Sequence, residues 1–374
     1  MSIRQMYPGS IVKPGFNPLG SQTLTPQSAT IFTWGRGSEG QSGLNVATAR
    51  SSPVQIGSLS NWATVSSGLF NSAAITTDGK LYMWGYNEFG AIGNNNPLIY
   101  PSSPVQVGAL TNWSKVVAAG YHTIALKTNG TLWSWGYSAS GQLGLSNTTY
   151  YSSPKQVGSL TDWLQISGGQ YTNGAVKTDG SLWMWGRNQN GQQGISSATD
   201  PITSPRQVTS SYDWASIDIG SQGNTAVAIK TNGTLWAWGL NTVGQVGDGT
   251  TTTRQSPVQI GALTNWARAV MGASGCVAVK TDGTLWVWGG SYIDAVTVSS
   301  PVQVGTLTNW LYVAGGRYSG YGAIKTDGTL WTWGAGNQGQ LGHSDTVARS
   351  SPTQVGSDTY WGSISIGHQA MLAG

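Results

Sequence analysis

Residues 120–136 read GYHTIALKTNGTLWSWG, and the architecture of the chain can be built from this stretch. Its first half alternates between apolar and polar side chains, which predicts a half-buried β-strand. Asn129-Gly130 predicts a two-residue type I′ hairpin turn, because both central positions of that turn need a positive φ. The strand that follows carries Trp133 and Trp135, which the period of two places on one face. The stretch therefore predicts a β-hairpin with a tryptophan-bearing face.

The hairpin belongs to a repeat that runs along the chain. Trp-Gly at the end of strand C occurs seven times, at spacings of 50, 51, 50, 53, 50 and 45 residues. Seven prolines that follow a serine each precede another Trp by nine residues, and five more Trp lie two residues before a Trp-Gly. These three positions account for all 19 Trp, so packing is the favoured role of this residue. The Trp-Gly tryptophans are Trp34, Trp84, Trp135, Trp185, Trp238, Trp288 and Trp333.

Each unit is predicted to form four short strands, which we name A to D. In the unit around the quoted stretch, strand A covers residues 113–120, strand B 123–128, strand C 131–136 and strand D 154–157. The small residues of strand A suit a crowded innermost position. The proline that opens strand D has no N–H to donate, which predicts D at the outer edge. The chain is therefore predicted to be an all-β, seven-bladed β-propeller of four-stranded antiparallel blades.

The two termini share one blade in this interpretation. The last unit contains only strands A and B, at residues 362–367 and 368–373. Strands C and D of that blade are supplied from the start of the repeat, at residues 31–35 and 53–56, so the ring closes without an open edge. We predict two parts of the chain. The propeller covers residues 29–374 and an extended, proline-containing N-terminal arm covers residues 1–28.

Composition excludes several classes of protein. Charged residues make up 9% of the chain, against about 25% in an average domain, and two residues are Glu, which excludes a mainly helical fold. Three His, two Glu and one Cys form no catalytic or metal-binding pattern, so we predict neither an enzyme nor a cofactor or metal site. A net charge of +4 without a basic run argues against a nucleic-acid partner. No membrane span or secretory signal is recognisable, which favours the cytoplasm unless the protein belongs to a virion.

Five lysines recur at the start of the hairpin turn, in the pattern Lys-Thr-Asp/Asn-Gly. Equivalent positions of a propeller lie on one rim, so their ammonium groups are predicted to ring one face as a candidate partner-binding rim. In the alternative interpretation, each lysine only keeps its turn soluble and the neighbouring aspartates blunt its field. The five residues are Lys127, Lys177, Lys230, Lys280 and Lys325.

The repeat resembles a known family. The hairpin of residues 120–136, followed by Gly-Gln-Leu-Gly at 141–144 and Ser-Ser-Pro at 152–154, is similar to the regulator of chromosome condensation repeat. The resemblance covers residues 29–374 and implies a seven-bladed propeller. Founding members of this family act as a chromatin-bound exchange factor for the small GTPase Ran, which implies a regulatory module of exchange-factor type as one alternative function.

Three functions remain open at this stage. Low charge, closely matching units and a proline-containing arm favour a non-enzymatic structural, adhesive or protein-binding propeller, and a component of a bacteriophage virion is the specific form of this hypothesis. Its partners would then include other virion proteins, with Tyr7, Pro14, Phe16 and Pro18 as candidate anchoring residues of the arm. The exchange-factor module is the second hypothesis. A carbohydrate-binding propeller with a glycan partner is the third, and there the Trp at the entry of strand A is the better candidate for exposure, with core packing as the favoured alternative.

Overall fold

The computed structural model describes residues 30–197, 199–290, 297–316, 320–368 and 370–374. Within these ranges the chain forms 28 strands in seven four-stranded antiparallel sheets, which are the blades of a seven-bladed β-propeller. The predicted fold class is confirmed. In the same ranges no helix has the length and apolarity to cross a membrane.

The arm, residues 1–28, lies wholly outside the described residues. The four candidate anchoring residues, Tyr7, Pro14, Phe16 and Pro18, are not among the described residues, and their anchoring role stays a prediction.

The strands follow one another in a regular order. The chain opens with β1 (Phe32–Gly35) and β2 (Arg50–Gln55). Blades 1 to 3 comprise β3 (Trp62–Ser67), β4 (Asn71–Thr76), β5 (Leu81–Gly85), β6 (Val105–Gln106); β7 (Trp113–Ala118), β8 (His122–Lys127), β9 (Leu132–Gly136), β10 (Tyr151–Gln156); and β11 (Trp163–Gly168), β12 (Thr172–Lys177), β13 (Leu182–Gly186), β14 (Ile202–Gln207). Blades 4 to 6 comprise β15 (Trp214–Ile219), β16 (Thr225–Lys230), β17 (Leu235–Gly239), β18 (Arg254–Gln259); β19 (Trp266–Met271), β20 (Gly275–Lys280), β21 (Leu285–Gly289), β22 (Val298–Gln303); and β23 (Trp310–Gly315), β24 (Gly320–Lys325), β25 (Leu330–Gly334), β26 (Arg349–Gln354). The chain ends with β27 (Ile364–Ile366) and β28 (Ala370–Ala373).

Strand order within the blades matches the sequence-based prediction. In blades 1 to 6 strands A to D lie side by side in chain order, and the A strands of neighbouring blades contact one another around the axis. Blade 7 is assembled in the order β27, β28, β1 and β2. In it, Phe32 lies opposite Ala373 and Gly35 lies opposite Ala370. Closure by strands from both termini is therefore confirmed.

Each hydrophobic core lies between two blades rather than inside one. Between blades 1 and 2, Met83 and Ile92 of blade 1 pack against Trp113 and Trp135 of blade 2, with Trp133 partly buried at the edge. Six equivalent clusters complete the ring. The strand C tryptophans therefore pack between blades, which confirms the packing role favoured for them. A single blade can bury its apolar faces only in contact with both of its neighbours.

The Gly-Gln-Leu-Gly loop forms a socket for a tryptophan of the next blade. Trp185 Nε1 donates a hydrogen bond to the Gln142 carbonyl oxygen at 2.9 Å. Gly144 lies so close that a Cβ on it would be 2.9 Å from the same nitrogen, so no larger residue fits without displacement. This contact explains why the loop motif and Trp-Gly occur together. Equivalent bonds join Trp34 to Gln340, Trp84 to Gln41, Trp135 to Ala91, Trp238 to Gln192 and Trp288 to Gln245.

The hairpin turn differs from the predicted type I′ turn. The positive φ at this turn belongs to Gly130, at 75°, and not to Asn129. Gly130 N donates to Lys127 O at 2.9 Å, and Lys127 N donates to Thr131 O at 3.1 Å. This is a three-residue loop, in which a type I turn is followed by a left-handed glycine. The prediction was wrong because Asn-Gly suits both turns, and the strand register, which the dipeptide does not show, selects between them.

Hydrogen bonds from one repeated position of strand A link the inner strands of neighbouring blades. Here a serine or aspartate side chain accepts a hydrogen bond from a backbone N–H of the next blade. Asp218 Oδ2 accepts from Met271 N at 2.9 Å, and its Oδ1 accepts from the Ser167 hydroxyl at 3.3 Å. Burial raises the pKa of Asp218 to about 7, while the Met271 amide, Arg268 and Ser167 partly oppose this rise. The serine bonds join Ser66 to Ala118 N, Ser167 to Ile219 N and Ser365 to Ser67 N, at 2.8–3.0 Å.

Candidate functional site

The propeller presents two faces that differ in chemistry. The hairpins between strands B and C, with the links from strand D to the next strand A, form one side, which we call the hairpin face. The turns between strands A and B, with the loops between C and D, form the other side, which we call the loop face. The repeated lysines start the hairpins and therefore belong to the hairpin face.

Each repeated lysine is packed between two tryptophans of its own blade. Lys127 Nζ lies 3.6 Å from the centroid of the Trp133 ring and 5.0 Å from that of Trp113, and its side chain is buried. Burial lowers the pKa of Lys127. Lys177, Lys230, Lys280 and Lys325 repeat the arrangement with their own pairs of rings. These cation–π contacts hold the ammonium groups against the blade.

The aspartates of the hairpin turns have a role beyond the predicted one of blunting the field of the lysines. Asp179 accepts hydrogen bonds from the backbone N–H and the hydroxyl of Ser181, whose oxygen in turn accepts from Trp183 Nε1 at 2.9 Å. The ion pairs of the lysines are made elsewhere. Lys177 Nζ lies 3.6 Å from Asp162 Oδ2, on the residue before the strand A tryptophan, and Lys230 makes the equivalent pair with Asp213 at 3.2 Å. The hairpin carboxylates thus hold the turn and the indole.

The candidate partner-binding rim is therefore a set of largely buried side chains. A solvent-facing collar of ammonium groups was expected, and the rings of strands A and C enclose them instead. Contact of these residues with a partner stays a prediction. The rim residues are Lys127, Lys177, Lys230, Lys280 and Lys325, of which Lys280 is the most buried at 4% exposure and Lys230 keeps 13% of its side chain exposed.

Replacing Lys127 by methionine should lower the free energy of unfolding by about 1 kcal/mol. Methionine keeps much of the apolar stem but removes the charge that lies over the two indole rings. Urea unfolding followed by tryptophan fluorescence measures the change. Lys155→Met is the matched control, because Lys155 is exposed on β10. Its Nζ faces a single aromatic ring, with 5.5 Å to the centroid of Tyr151. Equal losses in the two variants would show that the sandwich adds no stability.

Core packing, the favoured interpretation of the tryptophans, is confirmed for the Trp at the entry of strand A, and the alternative of an exposed stacking residue is wrong. The Trp at the entry of strand A, proposed as the better stacking candidate, is buried in every blade, with Trp113 at 2% exposure and Trp62 highest at 7%. Trp133, the first tryptophan of strand C, is only partly buried. The reason is depth, since strand A lies at the axis while the hairpin end of strand C reaches the rim. No tryptophan of the described chain forms an open stacking platform.

Two of the titratable residues counted in the sequence, His122 and Cys276, lie in packed positions. His122 is fully buried in β8, with Nε2 within 3.0 Å of the Asn173 amide of the next blade, and burial lowers its pKa to about 4. Cys276 is buried in β20, where desolvation raises the pKa of its thiol. In the part of the chain that the structure describes, no three His, Cys, Asp or Glu side chains converge as a metal site would require.

The loop face carries a feature that the sequence reasoning missed, a continuous surface of aromatic rings over blades 1 to 3. We call it the aromatic patch. The rings are contributed by the turns between strands A and B and by the loops between strands C and D. The aromatic patch consists of Phe70, Tyr86, Phe89, Tyr100, Tyr121, Tyr137, Tyr150 and Tyr171.

The rings of the aromatic patch contact one another in tilted and edge-to-face pairs. Tyr121 lies at the centre, with its ring centroid 6.1 Å from both Phe70 and Tyr137 and 5.6 Å from Phe89. An arginine closes each end of the row. The Arg36 guanidinium carbon lies 5.7 Å from the Phe70 centroid, and that of Arg187 lies 5.3 Å from Tyr171.

The aromatic patch is open to solvent and continues into an apolar loop tip. Tyr100 and Tyr150 are each 45% exposed, and the preceding residues Leu98 and Ile99 are 85% and 53% exposed. Contiguous exposed apolar surface of this kind marks interaction sites in soluble proteins. The sequence signal that could have predicted the aromatic patch is a departure from the repeat at the residue after Trp-Gly. After Trp-Gly, blades 1 and 2 carry Tyr86 and Tyr137, whereas blades 4 and 6 carry leucine and alanine.

Fold and surface together define a repeat protein of the β-propeller class that carries the aromatic patch on its loop face. Within this class the chain belongs to the regulator of chromosome condensation (RCC1) repeat family. The family model matches six segments that together cover most of the chain. They are residues 28–75, 78–126, 129–176, 179–227, 232–279 and 327–373.

Curated relatives share parts of the chain. The ultraviolet-B receptor UVR8 of Arabidopsis thaliana is 35% identical over 125 residues, which are 32% of this chain and 28% of the receptor. The mitochondrial RCC1 domain-containing protein RUG3 of the same plant is 27% identical over 260 residues, or 66% of this chain and 58% of that protein. The human probable E3 ubiquitin-protein ligase HERC6 is 36% identical over 121 residues, 12% of its length. The chain spans less than two thirds of each of these relatives.

Solved structures show the same fold at low identity. Prp20p of Saccharomyces cerevisiae superimposes with a TM-score of 0.81 at 19% identity, over 94% of this chain and 92% of Prp20p. Human WBSCR16 gives a TM-score of 0.81 at 18% identity, over 92% of this chain and 98% of the human protein. At these identities the similarity is one of fold.

Proposed function

We propose that the chain is a non-enzymatic protein-binding propeller that uses the aromatic patch as its docking surface. The observation that carries this proposal is the network of eight contacting, solvent-accessible rings on the loop face of blades 1 to 3. Tyrosine and arginine are enriched among the residues that dominate binding energy at protein interfaces. Membership of the RCC1 repeat family supports the proposal, and so does the characterised binding of Prp20p to Gsp1p and histones.

The test compares capture of partners by surface variants. Tyr121→Ala and Tyr137→Ala should each weaken binding of a protein partner by tenfold or more, because both rings lie at the centre of the contact network. Tyr212→Ala is the matched control, since Tyr212 is 55% exposed but lies on the hairpin face. A partner isolated from the native proteome by the wild-type chain is quantified by calorimetry with all three variants. Equal affinities for all of them would remove the aromatic patch as the docking surface.

Exchange-factor activity is a narrower version of this function. Its support is the fold shared with Prp20p, which binds Gsp1p. Nucleotide release from a panel of small GTPases measures it directly. Unchanged release over the whole panel would leave protein binding without exchange activity.

Carbohydrate binding has one observation in its favour. A cleft of about 350 Å³ at the edge of the aromatic patch is lined by Tyr100 together with polar side chains, among them Glu39, Asn45 and Ser102. An aromatic ring beside a carboxylate, an amide and a hydroxyl suits a sugar ring. A glycan array with wild-type chain and Tyr100→Ala tests this, and a blank array would discard the hypothesis.

Attachment to a larger particle through the arm, including a bacteriophage virion, rests on composition alone and stays a prediction. A chain without residues 1–28 should then fold as a propeller and fail to enter the particle.

A further inference from the structure

Two repeated positions of neighbouring blades alternate along the aromatic patch. The first is the residue after Trp-Gly, and the second ends the turn between strands A and B. Contacts between these positions run from Arg36 of blade 7 through five rings to Arg187 of blade 3. The row therefore ends in a guanidinium group on each side.

The two arginines occupy equivalent positions but differ in how their charge is compensated. Arg36 Nη2 pairs with Glu39 Oε1 of its own loop at 3.2 Å. In blade 3 the position of Glu39 is taken by Asn190, which has no charge. Arg187 donates hydrogen bonds through Nε, at 2.8 Å, and through Nη2 to the Gln189 amide oxygen. Its Nη1 makes no hydrogen bond with any residue that the structure describes.

No carboxylate of the described residues forms an ion pair with Arg187. The acidic residue of the same loop, Asp200, accepts a hydrogen bond from Asn188 N at 2.6 Å instead. Elsewhere on the loop face an arginine is compensated within its own blade, as Arg254 is by Asp248. Arg187 therefore brings an uncompensated positive charge to one end of the aromatic patch.

The Arg187 guanidinium is held in place within the chain itself. Its Cζ lies 5.3 Å from the centroid of the Tyr171 ring, and the Gln189 side chain binds its other edge. A side chain that is already ordered loses little conformational entropy when it binds a partner. A guanidinium and a carboxylate form a charge-assisted hydrogen bond. Phosphate groups usually bind where several arginines cluster, so a single guanidinium suits a carboxylate better.

Resting on the proposed function, we infer that Arg187 binds an acidic side chain of the protein partner, while apolar residues close to it in the same segment lie on the aromatic patch. Tyr171 connects the guanidinium to the next ring, since its centroid lies 5.3 Å from Arg187 Cζ and 6.4 Å from the Tyr137 centroid. An extended segment covers these two steps with about three or four residues. The partner should therefore carry its aspartate or glutamate within about four positions of the apolar residue that contacts Tyr137.

Immobilised ten-residue peptides test the inference. Each peptide carries two adjacent leucines and, three positions away, glutamate, glutamine or lysine. The wild-type chain should bind the glutamate peptide about fivefold more tightly than the glutamine peptide, and added salt should shrink the difference. Arg187→Gln should reduce this ratio to about twofold or less, and Arg187→Glu should prefer the lysine peptide. A wild-type chain that binds the glutamate and glutamine peptides equally, prefers lysine, or binds none of the peptides overturns the inference.

A matched charge control separates a local contact from a general effect of charge. Arg206→Gln removes the same charge from an exposed arginine on β14, the outer strand of the same blade, and should keep the preference for glutamate. An equal loss of preference in Arg206→Gln and Arg187→Gln would overturn the local contact. A partner protein lost by Tyr137→Ala and kept with full affinity by Arg187→Gln would support docking at the aromatic patch and overturn the acidic contact. A partner kept by both variants would overturn the docking surface itself.

Discussion

Trp135→Ala is expected to lower the free energy of unfolding by roughly 3–5 kcal/mol, the range for a large aromatic side chain removed from a core. The indole has no exposed surface and fills the gap between blades 1 and 2. Its Nε1 donates to the Ala91 carbonyl oxygen of blade 1 at 2.8 Å, and its ring lies 5.9 Å from that of Trp113. Alanine leaves a cavity and removes one of the two hydrogen bonds that the Ala91 carbonyl accepts, while the bond from the Thr123 hydroxyl at 2.9 Å remains. Equilibrium urea unfolding measures the loss.

Trp133→Ala provides the control on the same strand. Trp133 differs from Trp135 in burial, because it lies at the edge of the same core and is only partly buried. Its removal should cost clearly less, about 1–2 kcal/mol, including the contact with Lys127. A loss below about 1 kcal/mol for Trp135→Ala, or equal losses for both variants, would contradict the assignment of Trp135 to the core.

Asp218 should make the propeller less stable as the pH rises from about 4 to 8. The carboxyl is buried between blades 4 and 5 with a pKa raised to about 7, against 3.8 for the ordinary group. A raised folded-state pKa means that the stabilising, protonated form is fully present below the ordinary pKa and is lost as the pH rises through the folded value. The contribution is on the order of 2–4 kcal/mol. Urea unfolding at several pH values gives the slope.

Asp218→Asn should remove most of this slope and raise stability at pH 8. The amide keeps an oxygen for the Met271 N–H and carries no charge to desolvate. The charged or titratable groups near the carboxyl, Arg268 and Cys276, are unchanged in the variant. Asp358→Asn, on the exposed hairpin face, should keep the wild-type slope. An identical pH profile for wild type and Asp218→Asn would show that this carboxyl is not protonated in the folded state.

The fold could be predicted almost completely because its determinants repeat. Trp-Gly and Ser-Pro each fix a position once per blade, so strand order, blade number and the shared blade 7 follow from counting. The hairpin type could not be predicted, because Asn129-Gly130 is compatible with two turn geometries and the register of β8 and β9 selects between them. The enclosure of Lys127 was missed for a similar reason. It depends on Trp113 and Trp133, which belong to different strands and meet only in the folded blade.

The aromatic patch was missed because the repeat itself guided the interpretation. Averaging the units emphasises residues that every blade needs for packing, while Tyr121, Phe89 and Glu88 occur where the units differ. Their signal was present in the sequence as exceptions at aligned positions. Which exceptions gather on one face depends on the geometry of the ring. In a repeat protein the common positions build the scaffold and the uncommon ones are candidates for binding.

The pairing of β1 with β28 determines how the protein responds to mechanical load. The strands are antiparallel, and Phe32 and Ala373 lie opposite each other where both chain ends leave the blade. A force that separates the two ends loads these backbone hydrogen bonds one pair at a time, as in a zipper, rather than all together in shear. Pulling from the termini should therefore open blade 7 at low force and expose the sides of blades 1 and 6. A load applied to two internal hairpins would act on blades that are still part of the closed ring, so a higher force is expected to open them.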